Sequence, residues 1–202
     1  MRLLGAAAFL LVAAAGPAAA GEAFAGAYAH DIDDHISYGH FEKGPQVVLG
    51  ARTTALDELR MLGRPRVHLL AGINTRGGTS YLASGLSWRF RIADRFYVQP
   101  GIGAAIHDGR VGLPSPDDPT ITIVERQKRL NDWMTKLDLG SRVTFEPELS
   151  LGMLVTPRLS AELSWIHLSH AQLAGRQNPG LGDLGLRLVY RYGLDRGRGP
   201  ER

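Results

Sequence analysis

The sequence predicts an all-β protein, and more narrowly an eight-stranded antiparallel up-and-down β-barrel that spans an outer membrane. Three observations predict this fold: an export signal at the N-terminus, period-two alternation of apolar residues in the second half of the chain, and 25 glycines among 202 residues. Glycine at roughly 12%, against a usual value of about 7%, is typical of a chain rich in turns.

Residues 1–20 are predicted to be a secretory signal peptide. A positive charge at Arg2 precedes an apolar segment and a small-residue cleavage site that ends at Ala20. A transmembrane anchor would need about 20 apolar residues, and Gly16-Pro17 interrupts this run too early. The sequence therefore indicates an exported protein.

The remaining residues, 21–202, are expected to form one barrel domain that ends in a short polar tail, residues 193–202. The chain has 23 basic residues, 20 acidic residues and no cysteine. A net charge of +3 without clustered Lys and Arg argues against a nucleic-acid-binding protein. The absence of cysteine excludes disulfides and zinc sites built on Cys. No later segment has about 18 consecutive apolar residues, which excludes a helical membrane protein.

Period-two alternation of apolar residues is the main secondary-structure signal, because successive side chains of a strand point to opposite faces. The alternation is strongest over residues 96–107, 142–153 and 184–192. Weaker alternation predicts five further strands, at residues 27–32, 46–52, 66–74, 81–90 and 159–169. Together these segments predict eight strands.

The polar faces of these strands carry charged residues among glycines, which bears on the environment of the sheet. In an outer-membrane barrel the apolar faces meet lipid and small or charged residues fill the lumen. We therefore expect the even-numbered residues of 184–192 to face lipid. Glu146 and Glu148 are expected to form lumen ion pairs beside Arg142, rather than to act as paired acid and base. An exported soluble β-protein, with its polar faces in water, is the alternative.

The loops of such a barrel alternate between its two ends. With a periplasmic N-terminus, the turns after strands four and six are periplasmic and short, while the long loop at residues 108–140 faces outside. Arg126, Lys128 and Arg129 in that loop either attract anionic phosphate headgroups or are simply solvated.

His167 and Ser169 interrupt the apolar face of the strand predicted over residues 159–169. Leu163 and Trp165 belong to the same face, so His167 and Ser169 also point outward by alternation. Side chains two positions apart on a strand lie within reach of each other, and a histidine beside a serine is the base and nucleophile pair of acyl transfer. The alternative is that the strand leaves the membrane here and both residues are solvated.

The residues around this pair extend the pattern. The segments are Trp165-Ile166-His167-Leu168-Ser169-His170-Ala171, Asn178-Pro179-Gly180-Leu181-Gly182-Asp183 and the closing strand to Tyr192. Together they resemble the lipid A 3-O-deacylase (PagL) family, and residues 96–109 and Phe145-Glu146 fit that family's barrel. The resemblance implies an outer-membrane barrel with a Ser-His-acid triad on its outer surface, which hydrolyses the ester-linked 3-hydroxyacyl chain at position 3 of lipid A. It places the catalytic histidine on His167, the nucleophile on Ser169 and an asparagine near the oxyanion on Asn178.

The chain departs from the family pattern near this site. His170 follows the nucleophile where the family usually has Asn, and the loop before Asn178 is two residues longer. The family's acid falls by register on Gly182, which cannot orient an imidazole. Asp183 is the neighbouring carboxylate, but strict alternation turns it toward the lumen, so only a bulge or an early loop would let it serve. Asp183 is thus the candidate acid, a Ser–His dyad is the alternative, and backbone N–H groups near His170 are further candidate oxyanion donors.

The expected function is that of an outer-membrane serine esterase that remodels lipopolysaccharide, with no cofactor and no metal. Its expected partners are lipid A and outer-membrane lipid. The sequence leaves open whether the protein forms a homodimer. A non-catalytic barrel, structural or adhesive, is the alternative. Segment 30–40 contains three histidines and three aspartates, which suggests either a metal site or, as we expect so near the N-terminus, a solvated polar loop.

Overall fold

The computed structural model of the protein describes residues 20–37, 39–174 and 178–193. Residues 1–19 of the predicted signal peptide and residues 194–202 of the predicted tail lie outside the described residues. The described residues contain one α-helix, α1 (Ile123–Thr135), and one 3-10 helix (Asp57–Leu62). The strands are β1 (Gly21–Ala29), β2 (Gln46–Thr53), β3 (Arg66–Asn74), β4 (Tyr81–Ser87), β5 (Phe90–Arg91), β6 (Phe96–His107), β7 (Val143–Leu154), β8 (Leu159–Leu168) and β9 (Leu181–Tyr192).

The strands form a single antiparallel sheet that closes on itself. Their order is β4-β3-β2-β1-β9-β8-β7-β6-β5, and β4 also pairs with β6, which closes the sheet. β5 contains only two residues and pairs with β6 beyond the end of β4, so it continues β4 after a break at Trp88-Arg89. The prediction of an eight-stranded antiparallel barrel is confirmed.

The first strand differs most from its sequence prediction. Alternation predicts a strand at residues 27–32, whereas β1 begins at Gly21 and ends at Ala29. The outward positions of β1 are all alanines, which contrast little in hydrophobicity with their neighbours: Ala23, Ala25, Ala27 and Ala29. As a result residues 30–34, predicted to be partly strand, belong to the loop between β1 and β2.

The outer face of the barrel is apolar, as the alternation predicts. Leu184, Leu186 and Leu188 of β9 are 39%, 67% and 58% exposed, while Arg187 between them is buried. The even-numbered residues of this strand therefore lie on the outside of the barrel. An outer surface of this kind is the one that outer-membrane barrels present to lipid.

Ion pairs fill the lumen. Arg187 donates to Glu148 at 3.2 Å, and His68 Nε2 lies 3.0 Å from Glu146 Oε2. The predicted lumen position of both glutamates is therefore confirmed, but their expected neighbour is not: Arg142 donates to the backbone carbonyl groups of His107, at the end of β6, and of Gly109. Arg187 and Glu148 require one another, because a buried charge that loses its partner is strongly destabilising.

The connections between strands divide between the two ends of the barrel. Those at the end that β1 reaches are residues 30–45, 75–80, 108–142 and 169–180, whereas the opposite end has residues 54–65, 88–95 and 155–158. Helix α1, which alternation does not predict, lies within 108–142. Among the cations of that loop, Arg129 donates to Glu125 at 3.0 Å, while Arg126 and Lys128 are exposed. In the part of the chain that the structure describes, no helix is long and apolar enough to cross a membrane.

Candidate active site

The predicted pair His167 and Ser169 lies at the outer end of β8. Ser169 continues the strand by one residue, because its backbone N–H and C=O both bond to Phe145 of β7. The backbone is therefore extended through both positions, and two residues of a strand span about 6.6 Å and point to the same face. Ser169 is half-buried, so part of the residue is exposed at the outer end of the strand.

His167 is covered by its neighbours although it belongs to the outer face. Its side chain is 3% exposed, and its ring stacks on Trp165 with the centroids 5.7 Å apart. Gly180 lies against the other side: a Cβ atom at Gly180 would be 2.7 Å from His167 Cε1. These contacts fix the orientation of the imidazole ring. No hydrogen bond with the described residues engages its Nε2, the nitrogen that a base would use.

The β9 residue directly opposite His167 is Gly182. Directly opposed residues of antiparallel strands share a face and have Cβ atoms about 4.5–5.5 Å apart. An acid at position 182 would thus lie beside the imidazole, which explains why the resemblance points to that position. In this chain the position carries no side chain.

Asp34, from the loop between β1 and β2, lies in that space. Its Oδ2 is 3.7 Å from His167 Nδ1 and accepts a hydrogen bond from Trp165 Nε1 at 2.6 Å. Its Oδ1 accepts the backbone N–H of Ser37 at 2.8 Å and lies 2.5 Å from Ser37 Oγ. The backbone N–H of Ile36 also donates to Oδ1 at 3.3 Å, so five groups from two segments surround one carboxylate.

The structure does not bring Asp183 to His167. Asp183 is 1% exposed inside the barrel, where its Oδ1 lies 2.8 Å from His30 Nδ1 and its Oδ2 accepts the Tyr81 hydroxyl at 2.9 Å. No bulge interrupts the pairing of β8 with β9 at this point, since Asp183 pairs with Ile166 in continuous register. Alternation therefore turns Asp183 inward, and the assignment of this residue as the acid is corrected.

The two candidate oxyanion groups contact each other. The backbone N–H of His170 donates to Asn178 Oδ1 at 3.2 Å. The His170 side chain is buried, and its Nδ1 accepts the N–H of Ala174, which closes the turn after β8. Because the His170 N–H is engaged, the side-chain amide of Asn178 is the better candidate donor.

The described residues of segment 30–40 are partly buried: His30, Asp31 and Ser37 are buried, whereas Asp33, His35 and His40 are exposed. His30 is buried between Asp183 and Glu42, with Nε2 at 3.0 Å from Glu42 Oε2. Burial alone would lower the pKa of His30, but the two carboxylates outweigh burial and raise it to about 9. Within residues 20–37, 39–174 and 178–193, no group of three or more His, Asp or Glu side chains is arranged to hold a metal ion.

Sequence reasoning missed Asp34 because it interpreted segment 30–40 as a solvated polar loop. A closed barrel makes β1 a neighbour of β9, so the loop that follows β1 must pass the start of β9. The predicted first strand also began six residues and ended three residues too late, so Asp31 fell within a strand instead of in that loop. The signal that would have found Asp34 is barrel closure combined with a correct end for β1.

Comparisons with known proteins bear on the family and the fold of this chain. The family described as "Lipid A 3-O-deacylase (PagL)" matches residues 63–191, which is 129 of 202 residues. The crystal structure of the outer membrane enzyme PagL matches with a TM-score of 0.50 and 18% identity, over 85% of this chain and 99% of that one. The N-terminal β-barrel domain of Pseudomonas aeruginosa OprF matches with a TM-score of 0.50 and 10% identity, over 86% and 97%.

No curated protein sequence matches the chain. The two structural matches are too low in identity to show more than the fold, which is that of an outer-membrane β-barrel. The family match is of a different kind, because it spans most of the chain and includes β8, the loop with Asn178 and most of β9. By that match, the protein that carries His167 and Ser169 on its outer face belongs to the lipid A 3-O-deacylase (PagL) family.

Proposed function

We propose that this protein is an outer-membrane esterase that removes the 3-hydroxyacyl chain from position 3 of lipid A. The observation that carries the proposal is the placement of His167 and Ser169 at successive outward positions of β8, in a chain of a deacylase family. A buried histidine whose Nε2 has no hydrogen bond to the described residues, two positions from a half-buried serine on the same face, suits acyl transfer better than a structural role.

The proposed reaction has two steps. His167 Nε2 accepts the Ser169 proton while Ser169 Oγ attacks the ester carbonyl carbon, and the amide of Asn178 donates to the oxyanion. The ester C–O bond breaks, the sugar hydroxyl leaves with the proton held by His167, and an acyl-enzyme remains. Water then attacks the acyl carbon with His167 again as base, which releases the 3-hydroxy fatty acid and restores Ser169.

The outer surface around Ser169 suits a lipid substrate. Phe145 of β7, which pairs with Ser169, is 43% exposed, and Val143 in the same strand is 57% exposed. Both belong to the apolar outer face, so an acyl chain that lies in the outer leaflet can approach the serine sideways without crossing water. Because β8 ends at the barrel end that bears the long loops, Ser169 would lie at the level of the outer leaflet.

Mass spectrometry of lipid A tests the proposal. Wild type and Ser169→Ala would be produced in a Gram-negative host that lacks this activity, and each barrel would also be purified and given lipid A in detergent. We expect loss of one 3-hydroxyacyl chain with wild type and unchanged lipid A with Ser169→Ala. The matched control is Ser164→Ala, which removes a hydroxyl from the same strand but on the lumen face. Unchanged lipid A with folded wild type, both in cells and in detergent, would favour the non-catalytic barrel.

A further inference from the structure

We infer that Asp34 supplies the acid of the catalytic triad from a different chain segment: its carboxylate, on the loop between β1 and β2, positions His167 for proton transfer with Ser169. This inference rests on the proposed esterase function. It assigns Asp34 as a positioning residue, since it acts through His167 and does not contact the ester.

The first argument concerns the space opposite His167 at position 182. A Cβ atom built on Gly182 would lie 2.6 Å from Asp34 Oδ2 and 2.9 Å from Ser37 Oγ. The Asp34 carboxylate thus occupies the volume that a side chain at position 182 would take, directly across from His167. Position 182 on β9 has no side chain, and the carboxylate from the loop fills the space that this leaves beside His167.

The second argument is that the Asp34 carboxylate faces Nδ1 of His167. His167 Nδ1 is buried and has no hydrogen-bond partner among the described residues, and an Asp34 oxygen lies 3.7 Å from it. In a structure without substrate, such a contact is often long and shortens in the complex. The other oxygen is held by Ser37, and Trp165 donates to the oxygen that faces the imidazole. A carboxylate fixed in this way keeps the proton of His167 on Nδ1 and leaves Nε2 to act as the base.

The third argument concerns charge. Burial by itself would raise the pKa of Asp34, but hydrogen bonds from Ser37 and Trp165 outweigh it, and the net pKa lies below its ordinary value. Asp34 is therefore ionised at neutral pH. An ionised carboxylate stabilises the imidazolium that forms when His167 accepts the serine proton.

The backbone explains how the loop reaches the site. Because β1 pairs with β9, the chain leaves β1 next to Gly182, and Ile32 N–H donates to the Gly182 carbonyl at 2.9 Å. Asp31 and His35 then adopt left-handed backbone angles, with φ of 53° and 70°, which turn the loop over the outer face of β9. Aspartate and histidine are among the residues that tolerate this conformation.

The first test replaces the carboxylate by an amide of equal size. For Asp34→Asn we expect kcat on lipid A in detergent to fall about 10³- to 10⁴-fold, with KM within about threefold of wild type. The matched control is Asp33→Asn, which makes the same charge change at an exposed neighbour in the same loop and should leave kcat unchanged. Heat-modifiable migration on electrophoresis reports whether each barrel is folded.

The second test moves the acid back to β9. In the double variant Asp34→Ala with Gly182→Glu, loss of the Asp34 carboxylate frees space beside His167, and rotation of the Ser37 hydroxyl, 2.9 Å from the new Cβ, admits the glutamate side chain. We expect its kcat to exceed that of Asp34→Ala alone by at least about tenfold, because a carboxylate is restored where the triad needs one. Gly182→Glu alone, with Asp34 still present, should instead be impaired, since both carboxylates compete for one space.

The outcomes separate this inference from the function on which it rests. Inactive wild type would contradict the esterase proposal itself. Active wild type and inactive Ser169→Ala, together with Asp34→Asn at wild-type kcat, would overturn only the role of Asp34. A loss in Asp34→Asn that Asp33→Asn matches, or a double variant no better than Asp34→Ala, would show a loop-folding effect and overturn that role as well.

Discussion

Two histidine–aspartate pairs lie on opposite faces of the barrel wall, and they differ in how many imidazole nitrogens have a carboxylate partner. His30, inside the barrel, has both ring nitrogens on carboxylates: Asp183 at 2.8 Å and Glu42 at 3.0 Å. His167, on the outer face, has one nitrogen turned to Asp34 at 3.7 Å, and its Nε2 has no hydrogen-bond partner among the described residues. A histidine enclosed by two carboxylates is a cation that stabilises the fold. A histidine with one oriented nitrogen can exchange a proton.

The comparison also shows why proximity in sequence misleads. Asp183 is adjacent to Gly182, the residue opposite His167, but alternation sends its carboxylate to the lumen and to His30. Asp34 is 133 residues from His167 along the chain, yet barrel closure brings it to the imidazole. In a strand, the neighbour in sequence is on the wrong face.

The most direct test of the difference between the two histidines is to remove the proposed reacting groups, the Ser169 hydroxyl and the His167 imidazole. For Ser169→Ala and His167→Ala we expect kcat to fall by about 10⁴-fold or more, because each group takes part in the bond-making step. Fatty-acid release from lipid A by the purified barrel measures this. Ser169→Ala should keep the free energy of unfolding within about 1 kcal/mol of wild type, because it removes only one half-buried hydroxyl group. His167→Ala removes a buried ring that stacks on Trp165, so heat-modifiable migration must show that this variant is folded. Turnover at the wild-type rate in Ser169→Ala would refute the site.

The stabilising role of His30 predicts a pH dependence. The pKa of His30 is raised from 6.5 to about 9 in the folded barrel, so its contribution is fully present below pH 6.5 and is lost as the pH rises through 9. The shift corresponds to about 3 kcal/mol. Urea unfolding in detergent at pH 6, 8 and 10 should show stability decreasing over this range, and His30→Gln should show a much smaller decrease. Equal pH profiles of the two barrels would contradict the assignment.

The packing of Gly180 against His167 predicts a smaller effect on catalysis. In Gly180→Ala the new Cβ would lie 2.7 Å from His167 Cε1, and the residue would keep a φ of 75°. We expect kcat to fall about 10- to 100-fold, because a small displacement of the base is costly. Gly77→Ala is the matched control: its φ is 82°, but nothing lies within 4 Å of the new atom, so it carries the strain without the contact. Equal losses in both variants would assign the effect to strain.

The smallest effect on turnover is expected for Asp183→Asn. Because this carboxylate faces His30 and Tyr81 inside the barrel, kcat should stay within about twofold of wild type. The free energy of unfolding should decrease by about 1–3 kcal/mol, as expected when a buried hydrogen-bonded group loses a partner. A loss of several powers of ten in kcat would mean that the two histidine–aspartate pairs have been assigned the wrong way round.

Much of the fold and half of the site could be predicted from the sequence. Alternation over residues 184–192 predicted which side chains face outward, and the same parity placed His167 and Ser169 on the outer face, because a strand's period is two everywhere along it. It also predicted that Asp183 points inward unless a bulge intervenes. The sequence did not predict α1 or the position of β1, since α1 lies within a long loop and β1 has only alanine on its outer face.

The sequence by itself thus determined the barrel, the outward face and the His167–Ser169 pair, because these follow from local periodicity and short spacing. Tertiary structure alone decided which carboxylate faces His167. That choice depends on β1 pairing with β9, on a loop that turns over Gly182 and on the space that a missing side chain leaves. Each is a contact between residues far apart in the chain, and alternation within a single strand carries no information about such contacts.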